Sequence, residues 1–368
     1  MSSEALIDHS SERIGQAIVK VVGIGGGGCN AVTRMYHERI LGVEYMAVNT
    51  DAQHLMQLDV PTKIRVGDKL TRGLGVGGNP DIGRDSAEES RDELYEATRG
   101  SDMVFVAAGM GGGTGTGACP VVAEIAKESG ALTIAVVTKP FSFEGHRRKK
   151  QAEDGISLLR DRVDSLIVIP NDRLLDMCEE NVTTEQAFRL ADDVLRQAVQ
   201  AIAELVTISG TINLDFADVK SIMSGAGPAW MAIGSASGEN RAVEAARNAI
   251  NSPLLDVSIE GAKGVLLNVA GGADLTMHEV HKAAAEIEEM VDPNVNLIFG
   301  MVQDLKLEDE VRVTIIATGF PGVDAFIPEE ELLFEQLALS TVNGDDDLDV
   351  PPFLRRHPTL RRRGRQGL

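Results

Sequence analysis

Apolar runs alternate with amphipathic stretches along the first half of the chain. Residues 18–24 (IVKVVGI) are apolar and run into glycines, a helix is expected over 30–40, and VEYMAVNT at 43–50 has the composition of a second strand. A charged helical pattern covers 86–99, and DMVFVAAG at 102–109 has the unbroken apolar character of a strand buried on both faces. A further helix leads to LTIAVVT at 132–138, and another over 147–162 leads to SLIVIP at 165–170. Strands and helices alternating at this spacing predict a parallel sheet covered on both faces. The first half therefore reads as a doubly wound α/β domain, a fold whose ligands lie at the carboxyl ends of the strands.

A long helix follows. Thr183 and Gln186 form a capping box, and Val182, Ala187, Leu190, Val194, Ala198, Ile202 and Leu205 recur at helical spacing. About 22 residues give roughly 33 Å, enough to span one domain and reach the next. Beyond the turn SGTINLDFAD, strands are expected at 230–237, 265–271, 297–302 and 311–319, with helices at 239–251 and 276–290. That succession fits a smaller α+β domain. No internal repeat is visible.

Charge and composition narrow the function classes. The 368 residues carry 35 Lys and Arg against 56 Asp and Glu, a net charge of −21, which argues against a broad nucleic-acid footprint. Aromatic residues at 4% weaken the case for base-stacking surfaces. Three cysteines, Cys29, Cys119 and Cys178, without CxxC spacing, point away from a disulfide framework or zinc site and toward a reducing cytoplasm. The polar, acidic start MSSEALIDHSSERIGQ is unlike a signal peptide. Met103 to Ala123 lacks charge and is long enough to cross a bilayer, but its glycines and Pro120 make it a strand, a loop and a helix start.

Glycine changes the picture. Fifteen of the 38 glycines fall in three short segments, 23–28, 73–78 and 109–117. GIGGGG at 23–28 fits GxGxxG between a strand and a helix, with Asp51 downstream, which is the pattern of a dinucleotide site or simply of a tight turn. GMGGGTGTG at 109–117 also joins a buried strand to a helix, and the hydroxyls of Thr114 and Thr116 add donors to an anion nest. Two such loops in one sheet suggest a polyphosphate gripped from both sides. Neither contains Lys or Arg, and GxxxxGK[ST] is absent.

GGGTGTG matches the tubulin-type nucleotide signature, and the chain resembles the FtsZ family of tubulin-like cell-division GTPases over roughly residues 15–320. The matching stretches, in the family's order, include VVGIGGGGCNAV, MAVNTDAQHL, GLGVGGNPDIGR, DMVFVAAGMGGGTGTGACPVVAEIAK, AVVTKPFSFEG, DSLIVIPND, NLDFADV, ASGENRAVEAARNAI and VRVTIIATG. The resemblance implies a flexible extension over 1–17, a GTP-binding domain over 18–181 and a central helix with a synergy loop over 182–218. It further implies an α+β activating domain over 219–335, then a linker and basic tail over 336–368.

It also implies residue roles. Gly26, Gly27, Gly28, Cys29 and Asn30 would line the first loop. Gly111, Gly112, Gly113, Thr114, Gly115, Thr116 and Gly117 would wrap the phosphates, with Glu144 and Arg148 near the ribose and Asn171 also at the nucleotide. A carboxylate suits the paired N1–H and N2–H donors of guanine, and by resemblance Asp193 takes that place with Phe188 stacking; an exposed helix charge and core packing are the ordinary alternatives.

Asp215 and Asp218 in NLDFAD either favour a helix start or, as the resemblance implies, enter the nucleotide pocket of the next subunit and polarise the attacking water, with Mg²⁺ on the phosphates. No protein-held metal site is expected. Head-to-tail contacts that do not close yield filaments, so the implied protein is a GTP/GDP-binding GTPase that polymerises in the cytoplasm into a ring at the division site, near the inner face of the membrane. LDVPPFLRR at 348–356 resembles the peptide that binds membrane-tethering and regulatory partners. Two rivals stay open: a nicotinamide (NAD) oxidoreductase built on GIGGGG and Asp51, and a tubulin-like regulator without efficient turnover.

Overall fold

The computed structural model describes residues 17–40, 42–175, 182–207, 215–254, 259–304 and 306–320. The N-terminal extension up to residue 16, Cys178, Asn213 and the basic tail lie outside them.

Four apolar runs form the centre of a parallel sheet: β1 (Val19–Ile24), β4 (Met103–Gly109), β5 (Leu132–Lys139) and β6 (Ser165–Pro170). Their register pairs Val19 with Met103, Met103 with Leu132 and Ile134 with Ser165, so the carboxyl ends finish on one edge. On the other side of β1 lie β2 (Val43–Asn49) and the short edge strand β3 (Thr62–Arg65). β1, β4 and β5 are buried almost throughout, as their unbroken apolar sequences require when helices cover both faces.

The sheet continues into the second half. β7 (Gly227–Ser237) pairs parallel to β6 through Ser165 and Gly227, and is followed by β10 (Glu310–Thr318), β8 (Gly264–Gly271) and β9 (Asn296–Gln303). Pairings of β10 with β7 and β8 are antiparallel, and β8 with β9 is parallel. The ten-stranded order is β3-β2-β1-β4-β5-β6-β7-β10-β8-β9.

Among the described residues, eight α-helices belong to the first half: α1 (Gly25–Glu38), α2 (Ala52–Gln57), α3 (Asp68–Thr71), α4 (Pro80–Glu89), α5 (Arg91–Thr98), α6 (Thr114–Glu128), α7 (His146–Arg160) and α8 (Asn171–Leu175). Helix α1 starts five residues before the expected 30, so the glycines form its first turn rather than a preceding loop. The expected single helix over 86–99 is two helices, because Ser90 leaves the helical region (φ −106°, ψ 20°). Helix α4 reaches back to Pro80, which its fixed φ suits to a first turn, and Asn79 caps it by accepting the Asp81 N–H at 3.0 Å.

The central helix α9 (Thr184–Thr207) is 24 residues long, so it extends about 36 Å. Its capping box is present: Thr183 Oγ1 accepts the Gln186 N–H and Gln186 Oε1 accepts the Thr183 N–H. Its apolar face packs on α1 and β5 and, further along, on β8 and β9. Then come α10 (Phe216–Met223), α11 (Arg241–Ile250) and α12 (Met277–Glu288), the last with the expected Thr276–Glu279 capping box. Among the described residues, no helix is long and apolar enough to cross a membrane. The uncharged span Met103–Ala123 is β4, a turn and the start of α6.

Candidate nucleotide site

All three glycine clusters meet at the carboxyl edge of the sheet, around a cleft of about 670 Å³. Gly26, Gly27 and Asn30 line it from α1; Gly112, Gly113, Thr114 and Gly115 from the start of α6; and Leu74 to Gly78 arch over it. The three segments fit because side chains are missing where they touch. Gly25 has φ +70°, and a Cβ on it would stand 2.6 Å from the Gly115 amide nitrogen, so the first turns of α1 and α6 approach at van der Waals distance. A Cβ on Gly113 would collide with the Val76 side chain.

Two helix N-termini thus converge on one cavity. Neither has an acidic residue in its first turn, and among the described residues no side chain caps either. Their first-turn N–H groups and positive dipole ends are left for an anion. Asn171, at the start of α8, is 4% exposed, and its Oδ1 lacks any hydrogen-bond partner among the described residues while the residue lines the cleft. A buried acceptor left unsatisfied is costly, so this atom is an observation the functional reading has to account for.

Other expected residues stand behind the wall. Gly28 packs on Ala107 and Gly117 on Pro80. Thr116 Oγ1 accepts the Gly111 N–H at 2.8 Å, so this hydroxyl shapes the loop instead of facing the cleft. Cys29 donates its S–H to the Gly23 and Val48 carbonyls, and burial pushes its thiol up to about 12; it is an inert packing group. Thr114 does face the cleft, sharing a 2.7 Å hydrogen bond with Thr50 Oγ1.

The end of β2 and the start of α2 supply Asp51, which the GIGGGG pattern pointed to, and three residues that it did not, Asn49, Thr50 and His54. Asn49, Thr50, Asp51 and His54 all line the cleft. The His54 ring bridges Asn49 Nδ2 and Asn30 Oδ1, each at 3.0 Å. Asp51 accepts the Gln53 and His54 N–H groups and caps α2, a structural use for the carboxylate that the dinucleotide reading would place on a ribose. Their position after a strand of the sheet was the available signal.

At the other end the wall is side chains. Glu144 pairs with Arg148 at 2.5 Å and accepts the Phe141 N–H at 2.9 Å, and both Glu144 and Arg148 line the cleft. Phe188, 41% exposed, meets Phe141 edge-on at 5.3 Å and offers a flat apolar face. The carboxylate on this wall belongs to Asp192. Asp193 lies outside the lining and is bound by Arg196 Nε at 2.7 Å and Gln197 Nε2 at 2.5 Å. One residue along a helix turns the side chain by about 100°, which is enough to exchange cleft for flank. Asp192 is paired with Arg34 Nε of α1 at 3.2 Å, and burial pushes its carboxyl up to about 6 against the lowering effect of Arg34.

Asp215 and Asp218 are exposed at the start of α10, away from this wall. The Asp215 side chain makes no capping bond; its backbone carbonyl accepts the Asp218 N–H at 2.9 Å. No cluster of three or more His, Cys, Asp or Glu suited to a metal ion occurs among the described residues.

Comparison with known proteins gives the site a context. Residues 18–179 match the model of the Tubulin/FtsZ family, GTPase domain, and residues 227–321 match that of the FtsZ family, C-terminal domain. The chain is similar to an empty FtsZ dimer from M. jannaschii, with 48% identity, 85% of this chain and 91% of that chain covered, and a TM-score of 0.81. A tryptophan-to-tyrosine mutant of FtsZ from M. jannaschii gives 48% identity, 84% and 92% coverage, and the same TM-score of 0.81. The GDP-bound monomer of CetZ1 from Haloferax volcanii, 24% identical with 88% and 99% covered and a TM-score of 0.71, shares the fold.

Proposed function

The chain belongs to the Tubulin/FtsZ family and carries its GTPase domain, and from that premise we propose that it polymerises head to tail and hydrolyses GTP at the junction between subunits. The observation that carries this reading is a separation. The cleft has an anion seat but its own carboxylates are engaged: Asp51 caps α2, Glu144 pairs with Arg148 and Asp192 with Arg34. Asp215 and Asp218, the carboxylate pair at the start of α10, stand exposed elsewhere on the chain, and the Asp215 side chain makes no cap bond.

In this mechanism the triphosphate lies across the N-termini of α1 and α6, whose amides bind its oxygens without any lysine. Phe188 packs on the base, Asp192 accepts the guanine N1–H and N2–H, and Arg148 with Glu144 faces the sugar. Asn171 Oδ1 accepts a donor from the nucleotide. Asp215 and Asp218 of the next subunit orient and polarise the attacking water. Among the described residues no cluster of three or more His, Cys, Asp or Glu side chains suited to a metal occurs; the Thr50 and Thr114 hydroxyls would be the neutral oxygens available to a Mg²⁺ that accompanies the phosphates, and when bound it would offset phosphate charge.

Assembly into a dynamic ring at the division site, under the membrane, follows from this chemistry: bound GTP favours the junction and its hydrolysis loosens it. The tail at 348–356 would tether the polymer to membrane-bound or regulatory partners. Self-association is supported by the dimeric state of the M. jannaschii relative.

Turnover measured against protein concentration tests the reading. A shared site predicts a threshold concentration, GTP- and Mg²⁺-dependent pelleting, and loss of turnover in Asp215→Ala with nucleotide binding retained. A rate strictly proportional to protein concentration, or no pelleting at any salt concentration, would contradict it.

A further inference from the structure

We propose that Arg34 is a positioning residue for base recognition, holding the Asp192 carboxylate ionised and aimed at the cleft so that guanine selectivity depends on the pair rather than on Asp192 alone. The inference rests on the guanine-nucleotide reading above and adds the residue and the condition that govern it.

The geometry is specific. Arg34 projects from α1, the same helix whose first turn forms the anion seat, and its Nε lies 3.2 Å from Asp192 Oδ2 on α9. The Asp192 side chain is 14% exposed and the Arg34 side chain 42%, so the anion is much the more desolvated partner and its exposed part lines the cleft. Burial disfavours the charged carboxyl, pushing it up to about 6; Arg34 acts against that, and the adjacent Asp193 adds to it.

The other charges near this end are engaged. On α9, Glu185 pairs with Arg189 and Asp193 with Arg196. Asp172 of α8 accepts the Ser142 N–H and hydroxyl. On the cleft wall, Glu144 holds Arg148, Asp51 caps α2, and His54 bridges Asn49 and Asn30. Arg34 is the cation that acts on Asp192.

Guanine presents two adjacent donors, and only the ionised carboxylate offers two acceptors to them. A protonated carboxyl would set a donor against a donor. The sign follows: guanine binding is full above the pKa of Asp192 and weakens as pH falls through about 6. Without Arg34 that break moves upward, by about one pH unit for loss of a partly exposed neighbouring cation.

The test is the dissociation constant of GDP and of inosine diphosphate, which lacks the N2 amino group, from pH 5 to 8 without Mg²⁺. Wild type, Arg34→Gln, Arg34→Lys and Asp192→Asn are compared. Arg34→Gln should bind GDP about fivefold more weakly than wild type at pH 6 and almost equally at pH 8. Arg34→Lys should restore the wild-type profile. The preference for GDP over inosine diphosphate should decline across the same break, and be small and independent of pH in Asp192→Asn. Protonation of the diphosphate is common to all four proteins and cancels in the comparison.

An unmoved break in Arg34→Gln, or an equal weakening of both nucleotides at every pH, as a mere packing role would give, overturns the proposal. Failure of the wild type to bind GDP at pH 8 is a different result, and removes the guanine-nucleotide reading itself along with the pair.

Discussion

The two ends of the cleft are built from different material. At the glycine end the wall is largely backbone, helix N-termini and the 74–78 arch, with the neutral side chains of Asn30, Thr50 and Thr114 and the His54 ring beside them and no Lys or Arg among the described residues lining that end. At the aromatic end it is side chains, with Phe188, Asp192, Glu144 and Arg148 each fixed by a partner on another residue. A backbone wall tolerates little substitution and, in the proposed mechanism, takes a polyphosphate without regard to the base. A side-chain wall can be edited one residue at a time, and the proposed mechanism puts selectivity among bases there.

The largest effect that would sharpen this contrast is expected at Gly112. A Cβ there meets nothing within 4 Å, and its φ is not positive, so the fold itself makes no demand for glycine. If the space belongs to phosphates, Gly112→Val should weaken GDP binding by about 100-fold, through a clash and lost amide contacts worth about 3 kcal/mol, with an unchanged melting temperature. Isothermal titration and thermal melting check both halves; unchanged affinity would break the comparison.

Next is the neighbouring aspartate pair. Asp192→Asn replaces one of two acceptors by a donor and should cost about tenfold in GDP affinity, falling mainly on the guanine-specific part. Asp193→Asn, on the flank, 40% exposed and turned from the cleft toward Arg196, should change affinity less than about twofold. Competition between GDP and inosine diphosphate reads the difference, and equal losses would contradict the placement of Asp192.

The smallest effect on nucleotide handling is expected far from both ends. Arg241, 6% exposed at the start of α11, holds Asp274 and Glu279, and draws the Glu279 carboxyl down to about 2. Arg241→Leu should lower the melting temperature by several degrees, since it strands carboxylates that are partly solvated, while leaving GDP affinity within error. Glu279 has a depressed native pKa, so its contribution is complete above about pH 4.5 and is lost as pH falls toward 2. Acid melting of wild type and Glu279→Gln should therefore converge at low pH.

The same contrast explains what could be read from the sequence. Backbone sites leave a trace in composition: glycines after β1 and β4 marked one end of the cleft, because only residues without a Cβ allow Gly25 to approach Gly115 and Gly113 to lie beneath Val76. Buried strands were equally visible, since β4 and β5 are unbroken apolar runs. Helix starts marked by a capping box, at Thr183 and Thr276, were visible too, but the start of α1 was not, because a glycine repeat fits a loop or a first turn equally well, and α1 took the latter. Side-chain sites depend on helical phase, and adjacent aspartates carry no mark of which faces inward; packing of α9 against α1, fixed by residues distant in sequence, chose Asp192. Nor did the α+β pattern of the second half show that its strands would extend the first sheet through Ser165 and Gly227.

The claim on which the mechanism depends is that each active site is shared between subunits, and complementation tests it directly. Asp215→Ala keeps the cleft and lacks the water-orienting carboxylate; Gly112→Val keeps Asp215 and lacks the nucleotide seat. Each alone should be inactive. Mixed in equal amounts and pelleted together, they should regain GTPase activity approaching about a quarter of wild type, the share of random head-to-tail junctions that unite the two intact halves. A co-pelleted mixture that stays as inactive as its components, or an Asp215→Ala protein that turns over GTP at the wild-type rate, would contradict the account.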